Sequence, residues 1–138
     1  MTCNVKSIGA AALFVGILWT LSGCGPKQPD FETLYPVTGK VQRAGMPVAK
    51  GSLRFNAVPD KQDFMIRGEV KEDGTFSLST VRSTDRRGET KLGVPAGEYI
   101  VVYTPPSEDQ TKGFDPPVTL RDKVTIKAEP NDLTLQLP

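Results

Sequence analysis

Three observations predict an all-β fold for this chain of 138 residues. Apolar and polar residues alternate with period two after residue 36, turn-forming pairs separate the alternating runs, and no amphipathic helical repeat interrupts them. The class they predict is a seven-stranded antiparallel Greek-key β-sandwich behind an N-terminal signal-peptide helix.

The elements follow in order. Val37-Thr38-Gly39-Lys40-Val41 alternates as a half-buried strand does, and a turn is expected at Arg43-Ala44-Gly45-Met46-Pro47. Leu53 and Phe55 mark a second strand, and Ile66, Gly68 and Val70 a third. Asp73-Gly74 is the strongest hairpin signal, because both residues tolerate the positive φ of a tight turn, and Phe76 and Leu78 continue beyond it. Pro95-Ala96-Gly97 turns the chain into Glu98–Thr104, whose unbroken β-branched and aromatic character predicts a central strand covered on both faces. Pro105-Pro106 ends that strand, because proline cannot donate to a ladder. Val124-Thr125-Ile126 alternates again, and Pro130-Asn131-Asp132 leads into Leu133-Thr134-Leu135-Gln136-Leu137, with three leucines on one face. Val81–Leu92 and Ser107–Arg121 are polar and are expected as long loops.

The N-terminal segment carries the most specific signal. Met1–Ser7 holds one cation, Lys6, and Ile8–Leu21 is a nearly continuous apolar run of 14 residues. That is signal-peptide length, short of the ~20 residues that span a bilayer. The run ends in Leu21-Ser22-Gly23-Cys24. This string resembles the lipobox of bacterial lipoproteins, in which the peptidase reads Leu21, Ser22 and Gly23 and the sulfur of Cys24 is acylated. The expected division is a signal peptide over 1–23, acylated Cys24 with a flexible linker over 24–36, and a β-sandwich over 37–138. Phe31, Leu34 and Tyr35 could pack on the domain edge. Ile8–Thr20 is expected as a lone helix in the uncleaved chain. The same residues also read as an uncleaved membrane anchor, or as a signal peptide cut elsewhere.

Cysteine usage agrees with acylation. Of two cysteines, Cys3 lies in the leader, so the mature chain has no thiol pair for a disulfide. Two or more acyl chains hold a protein stably to a bilayer, at about 0.8 kcal/mol per buried methylene. Gly25 follows the cysteine where an aspartate would favour inner-membrane retention, which tilts the expected location to the outer membrane of the cell envelope.

Composition excludes several chemistries. The chain has 17 Lys and Arg against 16 Asp and Glu, and Arg82, Arg86 and Arg87 are interrupted by Asp85, so no nucleic-acid-binding stripe exists. There is no histidine, hence no Ser-His or Cys-His nucleophile and no imidazole for zinc. No cofactor motif is present. Glu108, Asp109 and Asp115 lack the spacing of a calcium loop, so no metal site is assigned. Phe64 and Phe114 are expected on loops and are the aromatic candidates for ligand contact.

The succession Val37–Val41, Gly45-Met46-Pro47-Val48, Gly51–Phe55, Gly68–Leu78 and Gly93-Val94-Pro95-Ala96-Gly97-Glu98-Tyr99 resembles the carboxypeptidase-regulatory-like, transthyretin-like β-sandwich domains. In particular it is similar to small Planctomycetes lipoproteins that carry this domain. The resemblance covers Val37–Leu137 and implies a prealbumin-like fold in an accessory or scaffold module. The hydroxyisourate hydrolases of the same group use histidines and a Tyr-Arg-Gly-Ser ending, and this chain has neither. The expected function is a membrane-anchored, non-catalytic envelope module, with membrane lipid at Cys24 and an envelope protein or glycan as partners. The alternatives are a glycan- or peptidoglycan-binding module and, more remotely, a hydrolase built on carboxylates.

Overall fold

The computed structural model describes residues 27–107 and 115–138. The leader, Leu21–Cys24 and the expected Ile8–Thr20 helix lie outside the described residues, as do Glu108, Asp109 and Phe114.

The alternation seen in the sequence becomes strands with one buried face. They are β1 (Leu34–Tyr35), β2 (Val37–Arg43), β3 (Met46–Pro47), β4 (Ser52–Val58), β5 (Phe64–Val70) and β6 (Thr75–Arg82). Then come β7 (Thr90–Leu92), β8 (Val94–Pro95), β9 (Gly97–Thr104), β10 (Val118–Thr119), β11 (Val124–Ile126) and β12 (Asn131–Leu137). No helix occurs among the described residues. The fold is all-β.

One hydrogen-bonded path runs β10-β9-β4-β5-β6-β2-β12, with β11 added to β9, β3 to β2 and β7 to β6. A separate two-stranded piece joins β1 to β8. The long sheet folds over a single core, so that its inner face packs against itself in a sandwich-like way. Val37 and Val41 of β2, Leu53 and Phe55 of β4, Ile66 and Val70 of β5, and Phe76 and Leu78 of β6 all lie in that core. Val94 of β8, Tyr99, Val101 and Tyr103 of β9, Leu120, Ile126 of β11, and Leu135 and Leu137 of β12 complete it. Each such side chain, fully buried, is worth about 1.5–3 kcal/mol in transfer free energy.

Several expectations are corrected. β12 pairs with β2 in parallel over its whole length, from Asn131↔Val37 to Leu137↔Arg43, so the sheet is not purely antiparallel. The chain reaches β12 by crossing from β11 at the far end of the path, which delivers it beside β2 running the same way. β9 is covered on one face only. Tyr99, Val101 and Tyr103 are buried, whereas Glu98, Ile100 and Thr104 face solvent. β9 does have strand neighbours on both edges, β4 on one and β10 and β11 on the other, as a central strand has.

The expected loop Val81–Leu92 is instead the end of β6, a connection over 83–89, and β7, which returns antiparallel to β6. Val118–Thr119, within the second expected loop, pairs with β9, and Leu120 reaches the core. The Asp73-Gly74 hairpin forms as a four-residue connection over 71–74, in which only Gly74 has positive φ. Asp73 instead accepts hydrogen bonds from the Thr75 amide at 3.0 Å and hydroxyl at 2.6 Å. These two donors hold its carboxyl below the usual value, the hydroxyl foremost.

β2 and β12 meet at Gly39. A Cβ there would lie 2.1 Å from the Leu133 carbonyl oxygen and 2.9 Å from the Phe76 ring. Gly39→Ala is therefore expected to lose more than about 2 kcal/mol of stability in urea unfolding, by forcing the β2–β12 pair apart. The β2–β3 turn carries the opposite opportunity. Ala44 sits at φ +52° in the left-handed region, where asparagine is tolerated better. Ala44→Asn should stabilise the domain by about 0.5–1 kcal/mol, read as a raised urea midpoint with an unchanged slope.

Candidate functional site

Two features of the folded body stand out, a strap laid over one end of the core and the outer face of the sheet. The strap is the segment from Gln28 to Tyr35. Leu34 and Tyr35 pair with Pro95 and Val94, Glu32 makes an ion pair with Lys61, and Thr84 donates to the Gln28 side chain. Phe31 packs against Phe64 with ring centroids 5.2 Å apart. The Arg82 guanidinium lies 4.8 Å from the Phe31 centroid and the Lys91 ammonium 4.5 Å from it. Two cations on one ring add cation–π attraction of about 0.5–1 kcal/mol each. The packing of Phe31, Leu34 and Tyr35 on the domain edge is thus present.

This arrangement changes the meaning of Phe64. The sequence places it on a loop and open to a ligand, whereas it is the first residue of β5, half-buried beneath Phe31. The void beneath the strap, between Phe31, Leu34, Phe64 and Tyr99, is about 10 Å³, the size of a single water at most. The strap closes this end of the core rather than opening a pocket. Arg82 is drawn in as well: its guanidinium meets Glu89 at 3.0 Å and its side chain is only 11% exposed.

Tyr99 links strap and sheet. Its hydroxyl donates to the Pro95 carbonyl at 2.7 Å, and its pKa is pushed up to about 12, first by burial and then by the Glu32 carboxylate. Tyr103 donates to the Lys50 carbonyl at 2.9 Å and is shifted upward too, mainly by burial.

The outer face is read from the strand register. Val102 pairs with Arg54, Arg54 with Arg67, Arg67 with Ser79, and Ser79 with Leu92, which gives one row across β9, β4, β5, β6 and β7. The adjacent row is Thr104–Ser52–Glu69–Ser77. Residues of both rows line a shallow, solvent-open concavity of about 670 Å³. Arg54 and Arg67 are therefore directly opposed, a like-charge pair that weakens the sheet. Neither makes an ion pair or a side-chain hydrogen bond among the described residues, although Glu69 shares the face.

A second open groove, of about 530 Å³, lies between Leu120–Val124 and the Thr134–Pro138 end of β12. No group of three or more metal-ligating acidic, cysteine or histidine side chains occurs among the described residues. The sequence offered no sign of the arginine pair. Arg54 and Arg67 look like ordinary solvent-face positions until the β4–β5 register sets them side by side.

The alkaline side of the stability profile follows from Tyr99. Both folded and unfolded forms hold a neutral phenol below pH ~10. Above it the unfolded chain ionises first, so stability falls as pH rises from ~10 through the folded value of about 12. Tyr99→Phe should lose about 1 kcal/mol at pH 7, with the hydrogen bond to Pro95, and should show a shallower decline above pH ~10. Tyr103 keeps part of the slope, and urea titrations at stepped pH measure both effects. No protein-family model, no curated protein and no solved structure matches this chain.

Proposed function

We propose that the chain is a lipid-anchored, non-catalytic module of the bacterial cell envelope. In this reading it is cut before Cys24, acylated on that sulfur, and displays a seven-stranded Greek-key sandwich of the carboxypeptidase-regulatory-like type outside the cytoplasm. The observation that carries the reading is Leu21-Ser22-Gly23-Cys24 at the end of a short apolar run behind a single cation. The lack of histidine and the one remaining thiol support a binding or structural role over catalysis.

The strap adds a geometric consequence. Gln28 already contacts Thr84, so the anchor at Cys24 lies only four residues upstream of the folded body. An extended chain of that length reaches about 14 Å. A domain so held sits close to the headgroups, with the strap end nearest the membrane. The outer membrane is the favoured location, since Gly25 stands where a retention aspartate would.

A second reading, glycan or peptidoglycan binding, draws on the hydroxyl-rich concave face of the sheet rather than on Phe64. The two readings are compatible, since one concerns attachment and the other the displayed surface.

Labelling with radioactive palmitate in a bacterial host tests the anchor. The wild-type chain should carry label and sediment with membranes. Cys24→Ala should lose the label completely and leave the membrane fraction after leader cleavage at another site or remain as unprocessed precursor. An unlabelled wild-type chain, or a Cys24→Ala chain that is labelled equally, would refute lipid attachment at this residue.

A further inference from the structure

We propose that the outer face of β4, β5 and β6 is a binding site for an acidic polysaccharide, with Arg54 and Arg67 as a two-pronged clamp on its carboxylate or phosphate groups. The inference rests on the binding-module part of the reading above and is independent of the lipid anchor.

The argument begins with a cost. Arg54 and Arg67 occupy directly opposed positions on neighbouring strands, with no carboxylate within ion-pair distance among the described residues. Like charges so placed destabilise a sheet. A ligand anion would convert that repulsion into two charge-assisted interactions, and guanidinium forks are suited to planar carboxylate and to phosphate. The surroundings fit such a ligand. Ser52, Ser77, Ser79 and Thr104 line the same concavity and offer hydroxyl donors and acceptors.

The row continues past the arginines to Val102 on one side and Leu92 on the other, and Leu92 is 82% exposed. Five strands at ~4.8 Å spacing make this row roughly 19 Å long, a track for several sugar units with apolar ends for their C–H faces. No aromatic side chain lies in either row, so stacking on a neutral sugar is not the recognition mode, and charge must supply it. A peptide fits less well. β4, β5 and β6 each have hydrogen-bonded neighbours on both sides, so this face has no free edge to which a peptide backbone could add.

The test uses the full chain purified in a non-ionic detergent, with titration calorimetry against polygalacturonate, neutral dextran and polyglutamate at low and high salt. Binding to polygalacturonate, weakened by salt and absent for dextran, is expected. Arg54→Ser/Arg67→Ser should weaken it by about tenfold or more, consistent with the loss of charge-assisted bonds. Arg86→Ser/Arg87→Ser removes the same charge from the 83–89 connection and should change affinity by less than about twofold. A circular dichroism spectrum matching the parent's checks that each variant is folded, and should one arginine double variant misfold, Arg54→Gln alone gives the same reading.

No binding to polygalacturonate at low salt would overturn the proposal, as would equal weakening by the two double variants. Equal affinity for polyglutamate would overturn the assignment to sugar. Because palmitate labelling does not depend on this face, failure here leaves the anchor reading standing.

Discussion

Register is the constraint on which the rest of this structure depends. The side chains of β4, β5 and β6 alternate between core and solvent, so a slip of one residue would turn out the core side chains of the strand that slips: Leu53 and Phe55 of β4, Ile66 and Val70 of β5, or Phe76 and Leu78 of β6. The 71–74 connection helps to fix the β5–β6 pairing, with the Lys71 amide bonded to the Thr75 carbonyl and the Gly74 amide to the Lys71 carbonyl. From that pairing β9 is aligned through β4, and β2 through β6. The core and the outer face are two outcomes of a single alignment.

Closure of the body comes from elements that alternation alone does not produce. β12 lies parallel to β2, and Gly39 lets the two backbones and Phe76 approach closely. At the other end the strap covers Phe64 with Phe31 and holds Glu32 against Lys61. Thr80, a buried polar side chain beside the core, is satisfied by the Gly93 carbonyl at 2.8 Å, so its hydroxyl is not orphaned. A lipid anchor only a few residues upstream would orient this strap end toward the membrane and leave the sheet face free to meet other molecules.

Legibility in the sequence follows the range of the interactions. The Asp73-Gly74 hairpin, the three leucines of β12 and the all-β class were readable because they depend on residues close together in the chain. The strand β7 is not legible because Thr90-Lys91-Leu92 has no buried face, and its place is set by backbone pairing with β6. β9 was misjudged because Ile100 and Val102, apolar by composition, lie on the outer side. Phe64 was assigned to a loop because its partner, Phe31, comes from a proline-bearing stretch without periodicity. The arginine pair could not be seen at all, since opposition across strands exists only once the register is known.

The most direct measurement of that register is a double-mutant cycle on Arg54 and Arg67. Each is replaced by glutamine singly and together, and stability is read by urea unfolding at low and high salt. If the two guanidinium groups are opposed, the double variant gains less stability than the sum of the single gains, by about 0.2–1 kcal/mol at low salt, and the difference shrinks as salt rises. Strict additivity at low salt would mean that the two arginines do not face each other, and the alignment that orders both faces of the sheet would be wrong.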